Sequence, residues 1–246
     1  VQPNIQIGDG RAAVCSSGTV TEATAGSPTV NPWAQVDWSA PLYLSPPSTA
    51  PIRAAMRCGE MAAIVTPAAG NAVPRDALWA ADNSAYSGAY PGDARYLAWL
   101  TGLAVHADRC LWAVAPDVVA DHLATWARSR EILPRIRDLS LPAAYVAQDG
   151  MEYDHSADLW DAFDVLFIGG STSWKLGTAA AELARVALDH GHAVHLGRVN
   201  SLTRLRFADH IGASTADGTY LTYGPDKLLP TVRNWMHNVR AQRPLF

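Results

Sequence analysis

Residues 164–170, Asp-Val-Leu-Phe-Ile-Gly-Gly, decide the fold. Four large apolar side chains follow one another with no polar residue between them, and the run stops at a glycine pair. A strand with one wet face alternates apolar and polar residues. A continuous run this short fits a strand covered on both faces, as in a parallel sheet. The same pattern stands at 42–46 (LYLSP), 61–67 (MAAIVTP), 78–83 (LWAADN) and 110–117 (CLWAVAPD). It returns at 143–149 (AAYVAQD), 193–199 (AVHLGRV) and 210–217 (HIGASTAD).

Helical spacing fills the gaps between these runs. Ile52, Ala55 and Met56 share a face of 48–58, and Tyr96, Leu97, Leu100 and Leu103 one of 92–104. Residues 121–138 and 176–190 read as longer helices with charged outer faces. A last amphipathic segment, 226–241, carries Leu228, Leu229, Val232, Trp235, Met236 and Val239 after Pro225. Eight buried strands alternating with helices predict an α/β fold, a (β/α)8 TIM barrel. The alternative, a doubly wound open sheet, would carry a glycine-rich phosphate loop after its first strand. SPPSTAP at 45–51 is nothing like one.

The chain has 246 residues, close to the roughly 250 of such a barrel. At 49% hydrophobic and 17% charged it can bury a large core. No stretch approaches the roughly 18–20 apolar residues of a membrane span, and no charged-then-apolar signal segment opens the sequence, so a cytoplasmic protein is expected. Cys15, Cys58 and Cys110 are too few and too scattered for a disulfide framework or a four-ligand zinc site. The first forty residues, rich in Gly, Ser, Thr and Pro, carry only Asp9, Arg11, Glu22 and Asp37 as charges. They read as a poorly structured or peripheral extension, 1–40, before a barrel at 41–246.

In a barrel of this kind the chemistry lies where the strands end. The strand ends deliver Ser45, Thr66, Asp82-Asn83-Ser84, Asp117, Gln148-Asp149, Gly169-Gly170-Ser171, Arg198 with Asn200, and Asp217-Gly218. Carboxylates from four different strands would enter one mouth and repel one another, an arrangement that favours catalysis or ligand binding over a structural role. Two carboxylates suit chemistry at a sugar C1′: one attacks, the other handles the proton on the departing or entering group. An amide and a further carboxylate suit the N–H and C=O edges of a purine-like base. Simpler readings stand beside these. Asp82, Asp117 and Asp217 could each serve a turn or a helix cap, Asp149-Gly150 reads as a turn, and Lys175 reads as a solvated surface lysine.

The ordered series Asp82-Asn83-Ser84-Ala85-Tyr86, Pro116-Asp117, Gln148-Asp149-Gly150, Ile168-Gly169-Gly170 and Gly212–Asp217 resembles the tRNA-guanine transglycosylase superfamily. The likeness is greatest to the compact phage and actinobacterial branch of 7-deazaguanine DNA-guanine transglycosylase-like proteins and covers about 42–236. It rests on TPAAGN, WAADN, VAPDVV, VAQDG, FIGGSTSWKLG, LGRVNS and ADGTYLTYGPD. The resemblance implies guanine exchange for a 7-deazaguanine such as preQ0, with Asp217 as nucleophile and Asp82 in proton transfer. It gives Asp117, Gln148 and the Gly169-Gly170 amides to the base edge, with Asn83 in the pocket and Tyr86 stacking. Arg198 is a candidate for substrate or phosphate contact, and Trp174 for base stacking.

The family's tRNA enzymes carry a zinc site of three Cys and one His beyond the last strand. All cysteines here precede residue 111, so no metal and no cofactor are expected, and the zinc-bearing appendage is missing. Asn83-Ser84-Ala85-Tyr86-Ser87 stands where the family has Ser-Gly-Gly-Phe-Gln. Both departures favour DNA over tRNA. A tRNA-directed enzyme and a non-catalytic barrel that binds a nucleobase or nucleic acid are the alternatives. With a net charge of −4, DNA must be gripped by local basic groups, by a partner subunit or by a second copy. The candidates are Arg128, Arg130, Arg135 and Arg137; Arg198, Arg204 and Arg206; and Lys227, Arg233, Arg240 and Arg243.

Overall fold

The computed structural model describes Val36 and residues 38–242. Most of the expected extension, and residues 243–246, therefore lie outside the described residues. Eight strands form a closed barrel in chain order. They are β1 (Leu42–Ser45), β2 (Ala62–Val65), β3 (Trp79–Ala81), β4 (Cys110–Val114), β5 (Ala143–Ala147), β6 (Val165–Ile168), β7 (Ala193–Leu196) and β8 (Thr215–Asp217). Every neighbouring pair is parallel. The ring closes where β8 pairs with β1, setting Thr215 against Leu42 and Asp217 against Leu44. The fold is a (β/α)8 TIM barrel.

Helix α1 (Ala50–Arg57) follows β1, α2 (Asp93–Leu103) follows β3, α3 (His122–Ser129) and α4 (Leu133–Arg137) follow β4, and α5 (Ala157–Trp160) follows β5. They are followed by α6 (Thr172–Lys175), α7 (Thr178–Asp189), α8 (Leu202–His210) and α9 (Pro225–Ala241). The alternation of each strand explains the two cores. On β5, Ala143, Tyr145 and Ala147 join the large core beneath the helices, whereas Ala144 and Val146 face the barrel interior with Leu42, Leu44, Ile64 and Trp112. Val36 is buried with this interior set.

Three expectations are corrected. Residues 121–138 are two helices, because Pro134, which has no N–H, starts a new first turn in α4. The last strand is only Thr215–Asp217; His210 ends α8, and Gly212 turns the chain with φ 75°. α8 itself was not foreseen: Ser201 caps it by accepting from the Arg204 N–H, but its charged sequence blurs the apolar stripe.

No helix links β2 to β3. Arg109 instead fastens that connection, donating to the carbonyls of Pro74 (3.0 Å) and Ala77 (2.8 Å), while the Trp79 indole donates to His106 O at 2.8 Å.

Trp112 fills the barrel interior at 1% exposure, against Phe167 and His195. Trp112→Ala is expected to lower the unfolding free energy by about 3–5 kcal/mol in a denaturant titration. A loss below about 1 kcal/mol would mean that this layer is not packed as described.

Candidate active site

β8 carries Thr215 and Asp217 on the same parity, turned away from Ala216, which belongs to the outer core. His195 on neighbouring β7 is fully buried between Phe167 (ring centroids 4.4 Å) and Trp112 (4.7 Å). Its Nδ1 lies 2.8 Å from Thr215 Oγ1 and its Nε2 3.0 Å from Asp217 Oδ1. Burial pushes the His195 pKa down, against the pull of Asp217, so the ring carries one proton at neutral pH. A carboxylate only accepts, which places that proton on Nε2 and makes Nδ1 the acceptor of the Thr215 hydroxyl. Oδ1 also accepts from the Arg198 N–H at 3.4 Å. Neither bond uses Oδ2.

Gly218 keeps this end of β8 tight. A Cβ there would collide with Val199 O and sit 2.5 Å from the Tyr43 hydroxyl, which itself donates to Val199 O at 3.0 Å.

Asp82 stands just past β3. Its Oδ1 accepts the Ser84 N–H at 2.7 Å, and Asn83 Oδ1 accepts that of Ala85 at 2.6 Å. The turn reading of this segment is thus met, and Asp82 Oδ2 is left outside it. Burial, opposed by the Ser84 hydrogen bond and reinforced by the charges of Asp217 and Asp117, pushes the Asp82 pKa up to about 7. Asp82 is therefore within reach of the charges of both Asp217 and Asp117.

Asp117 is held on both oxygens: Asn83 donates to Oδ1 (3.1 Å) and Gln148 to Oδ2 (2.8 Å). Burial raises its pKa, opposed by the Asn83 bond and other donors and by the charge of Arg128. Gln148, 1% exposed, accepts at Oε1 from the amides of Ala120 (2.8 Å) and Gly170 (3.0 Å). The Gly169 amide donates to Ala147 O at 3.0 Å. Both glycine amides thus hold the fold together, and what they leave facing the mouth is backbone without side chains. A Cβ on Gly169 would sit 2.5 Å from Val146, and one on Gly170 would meet the Trp174 ring.

Asp149 accepts from the Ser171 amide (2.7 Å) and hydroxyl (2.6 Å), and Gly150 adopts a left-handed turn, as its sequence suggested. Trp174 donates to Glu152 at 2.9 Å. The Arg198 guanidinium donates to Gly170 O and lies 4.6 Å above the Tyr86 ring, joining the loops after β3, β6 and β7. Tyr86 is 65% exposed. Left-handed backbone occurs at Ser84, Ala120 and Arg198, each past a strand end on this face; such residues cost about 1–3 kcal/mol apiece, and strain of this kind gathers at functional sites.

Lys175 corrects the sequence reading. It is not a surface lysine: it is fully buried and donates from Nζ to Gly197 O at 2.6 Å. Of the first basic group only Arg128 is drawn inward, and Arg130, Arg135 and Arg137 stay exposed. Arg128 donates to Asp117 O and stacks on Tyr90, Arg130 pairs with Glu131, and Arg137 pairs with Asp164. Arg135 and Arg206 remain exposed. His195 was missed altogether; a lone histidine in AVHLG gives one signal, its inward parity.

Among the described residues, no group of three or more His, Cys, Asp or Glu is placed to hold a metal ion. No helix among them is long and apolar enough to cross a membrane. A surface cavity of about 470 Å³, lined by Ala120, His122, Asp149, Gly150, Tyr153 and Asp154 among others, has none of Asp82, Asp117 and Asp217 in its wall.

No family model matches the chain, and no curated protein does. Solved structures do. The tryptophan synthase α-subunit of the hyperthermophile Pyrococcus furiosus is 12% identical, over 83% of this chain and 96% of that one, with a TM-score of 0.44. The carboxyl transferase domain of Rhizobium etli pyruvate carboxylase is 10% identical, over 76% of this chain and 41% of that one, with a TM-score of 0.45. Likeness at this level says nothing about substrate or reaction.

The raised Asp82 pKa has a consequence for stability. An unfolded Asp ionises near 3.9, so the native state keeps the proton longer. Stability from this group is greatest below that value and falls as pH rises from about 4 to about 7. Asp82→Asn, which cannot ionise, is expected to melt above the parent at pH 8, the difference vanishing by pH 4. Parallel melting curves at all pH values would mean that Asp82 carries no buried charge.

Proposed function

We propose that the protein is a pentosyltransferase that replaces guanine in DNA with a 7-deazaguanine such as preQ0, through a covalent Asp217–sugar intermediate. The observation that carries this reading is the pairing of two unlike carboxylates in one mouth. Asp217 is gripped by His195 through Oδ1 with Oδ2 free, and Asp82 is poised to hold a proton near neutral pH. Two carboxylates in unlike surroundings are how one site supplies both a nucleophile and an acid.

A target nucleotide in a duplex must first leave the stack to reach the mouth. Asp117, with lone pairs left on both oxygens, accepts from the N1–H and 2-amino edge of the base. The Gln148 network keeps its carboxylate in place. Asp217 Oδ2 attacks C1′, the C1′–N9 bond breaks, and its electron pair goes to the base. Asp82 gives that base its proton.

The negative charge thereby passes from Asp217 to Asp82. Repulsion between them, which favours a protonated Asp82 while Asp217 is ionised, is relieved as the ester forms. An entering 7-deazaguanine returns a proton to Asp82 and displaces Asp217 from C1′.

Incubation with guanine-containing DNA and preQ0, followed by digestion to nucleosides, is expected to yield the deazaguanine nucleoside. The same assay on tRNA is expected to yield none. Asp217→Ala should lower exchange by about 10³-fold or more. Asp82→Asn should lower it by about 10²–10⁴-fold. In the parent protein exchange should decline as pH rises past about 7 and Asp82 loses its proton. An active Asp217→Ala protein overturns the mechanism. Tight preQ0 binding without exchange on either nucleic acid would instead make this a binding barrel.

A further inference from the structure

Among the described residues, Lys175 is the one lysine or arginine classed as buried, at 0% exposure. An ammonium removed from water is unfavourable unless an opposite charge or several hydrogen bonds compensate it. Lys175 Nζ makes one hydrogen bond among the described residues, to Gly197 O at 2.6 Å, although it has three hydrogens to donate. Burial therefore weakens its hold on the proton, and only a nearby anion opposes that.

The charged and titratable groups around it are few. Arg198, in the loop after β7, and Arg204, on α8, oppose its ammonium; Asp217, at the end of β8, supports it. His195 on β7 senses its charge as well. Asp217 is thus the one anion acting on Lys175. Gly197 joins the two. Its carbonyl takes the lysine, and a Cβ on it would lie 3.5 Å from Asp217 Oδ1 and 2.7 Å from the Phe167 ring. Only glycine lets the backbone pass between the ring and the carboxylate.

We propose that Lys175 is a positioning residue for Asp217: its buried side chain holds the carbonyl of the Gly197–Arg198 peptide, whose N–H donates to Asp217 Oδ1, and its charge lies within reach of that carboxylate. The catalytic meaning of this pairing rests on Asp217 being the nucleophile proposed above. When Asp217 becomes a neutral ester, Lys175 loses its one anion. Return of the carboxylate restores the pair, so the ammonium makes Asp217 a better leaving group in the second half of the exchange. The ester is then a passing state and not an end point.

Lys175 and Lys227 are the two lysines of the chain, so [13Cε]lysine labelling gives two side-chain signals to follow by NMR. Burial and the two arginines bring the Lys175 midpoint down to about 7. In Asp217→Asn it is expected to fall further, by half a unit or more, which is about threefold weaker proton binding, while Lys227 stays where it was. A purely structural lysine would not respond. An unchanged Lys175 midpoint in Asp217→Asn overturns the proposal, and this measurement leaves the lysine itself intact.

In the exchange assay, Lys175→Met is expected to lose tenfold or more in kcat with KM for DNA within twofold, and Lys175→Arg to recover part of it. Full activity in Lys175→Met also overturns the proposal. If the midpoint moves but the parent protein exchanges no base, the counter-charge stands and the transglycosylase reading falls. If exchange occurs and the midpoint does not move, the reading of Lys175 falls alone.

Discussion

Like charges confined to one opening are the constraint on which this face of the barrel depends. Asp82 sits within the fields of both Asp117 and Asp217, three carboxylates at or past the ends of β3, β4 and β8. Each is settled differently. Asp117 is wrapped by Asn83 and Gln148, Asp82 leans on one amide and holds its proton, and Asp217 is bonded by His195 within reach of the Lys175 charge. The supporting residues follow from that division. Gln148 needs the amides of Ala120 and Gly170 to fix its orientation, and His195 needs Thr215 to fix its tautomer.

The barrel was legible because a buried parallel strand leaves a mark that side-chain chemistry alone creates. Runs such as VLFI at 165–168 and AAYVA at 143–147 have nowhere else to go, and each became a strand within a few residues of the expected limits. Strand ends were less legible. At 210–217 the apolar signal of Ile211 and Ala213 belongs to the turn after α8, and only the last three residues pair with β1 and β7.

The site was legible only in its acids. Asp82, Asp117 and Asp217 announced themselves by position at strand ends. His195 and Lys175 did not, because their roles depend on what surrounds them in space. A lysine is almost never buried unless paired, so a lone Lys after a glycine-rich turn is read as solvated. What reverses that reading is the Gly197 carbonyl and a carboxylate from β8, both more than twenty residues away in sequence. The amides of Gly169 and Gly170 are the converse case: they looked free in the sequence and are engaged within the fold.

One part of the wall is built unlike the rest. Between β2 and β3 no helix lies across the connection, and the Arg109 side chain ties Pro74 and Ala77 in its place. A helix can fray turn by turn, losing its hold in small steps. Here one guanidinium nitrogen takes both carbonyls. The connection from 66 to 78 is therefore anchored by the residue that leads into β4, so the hold on that loop and the entry to the next strand share one side chain.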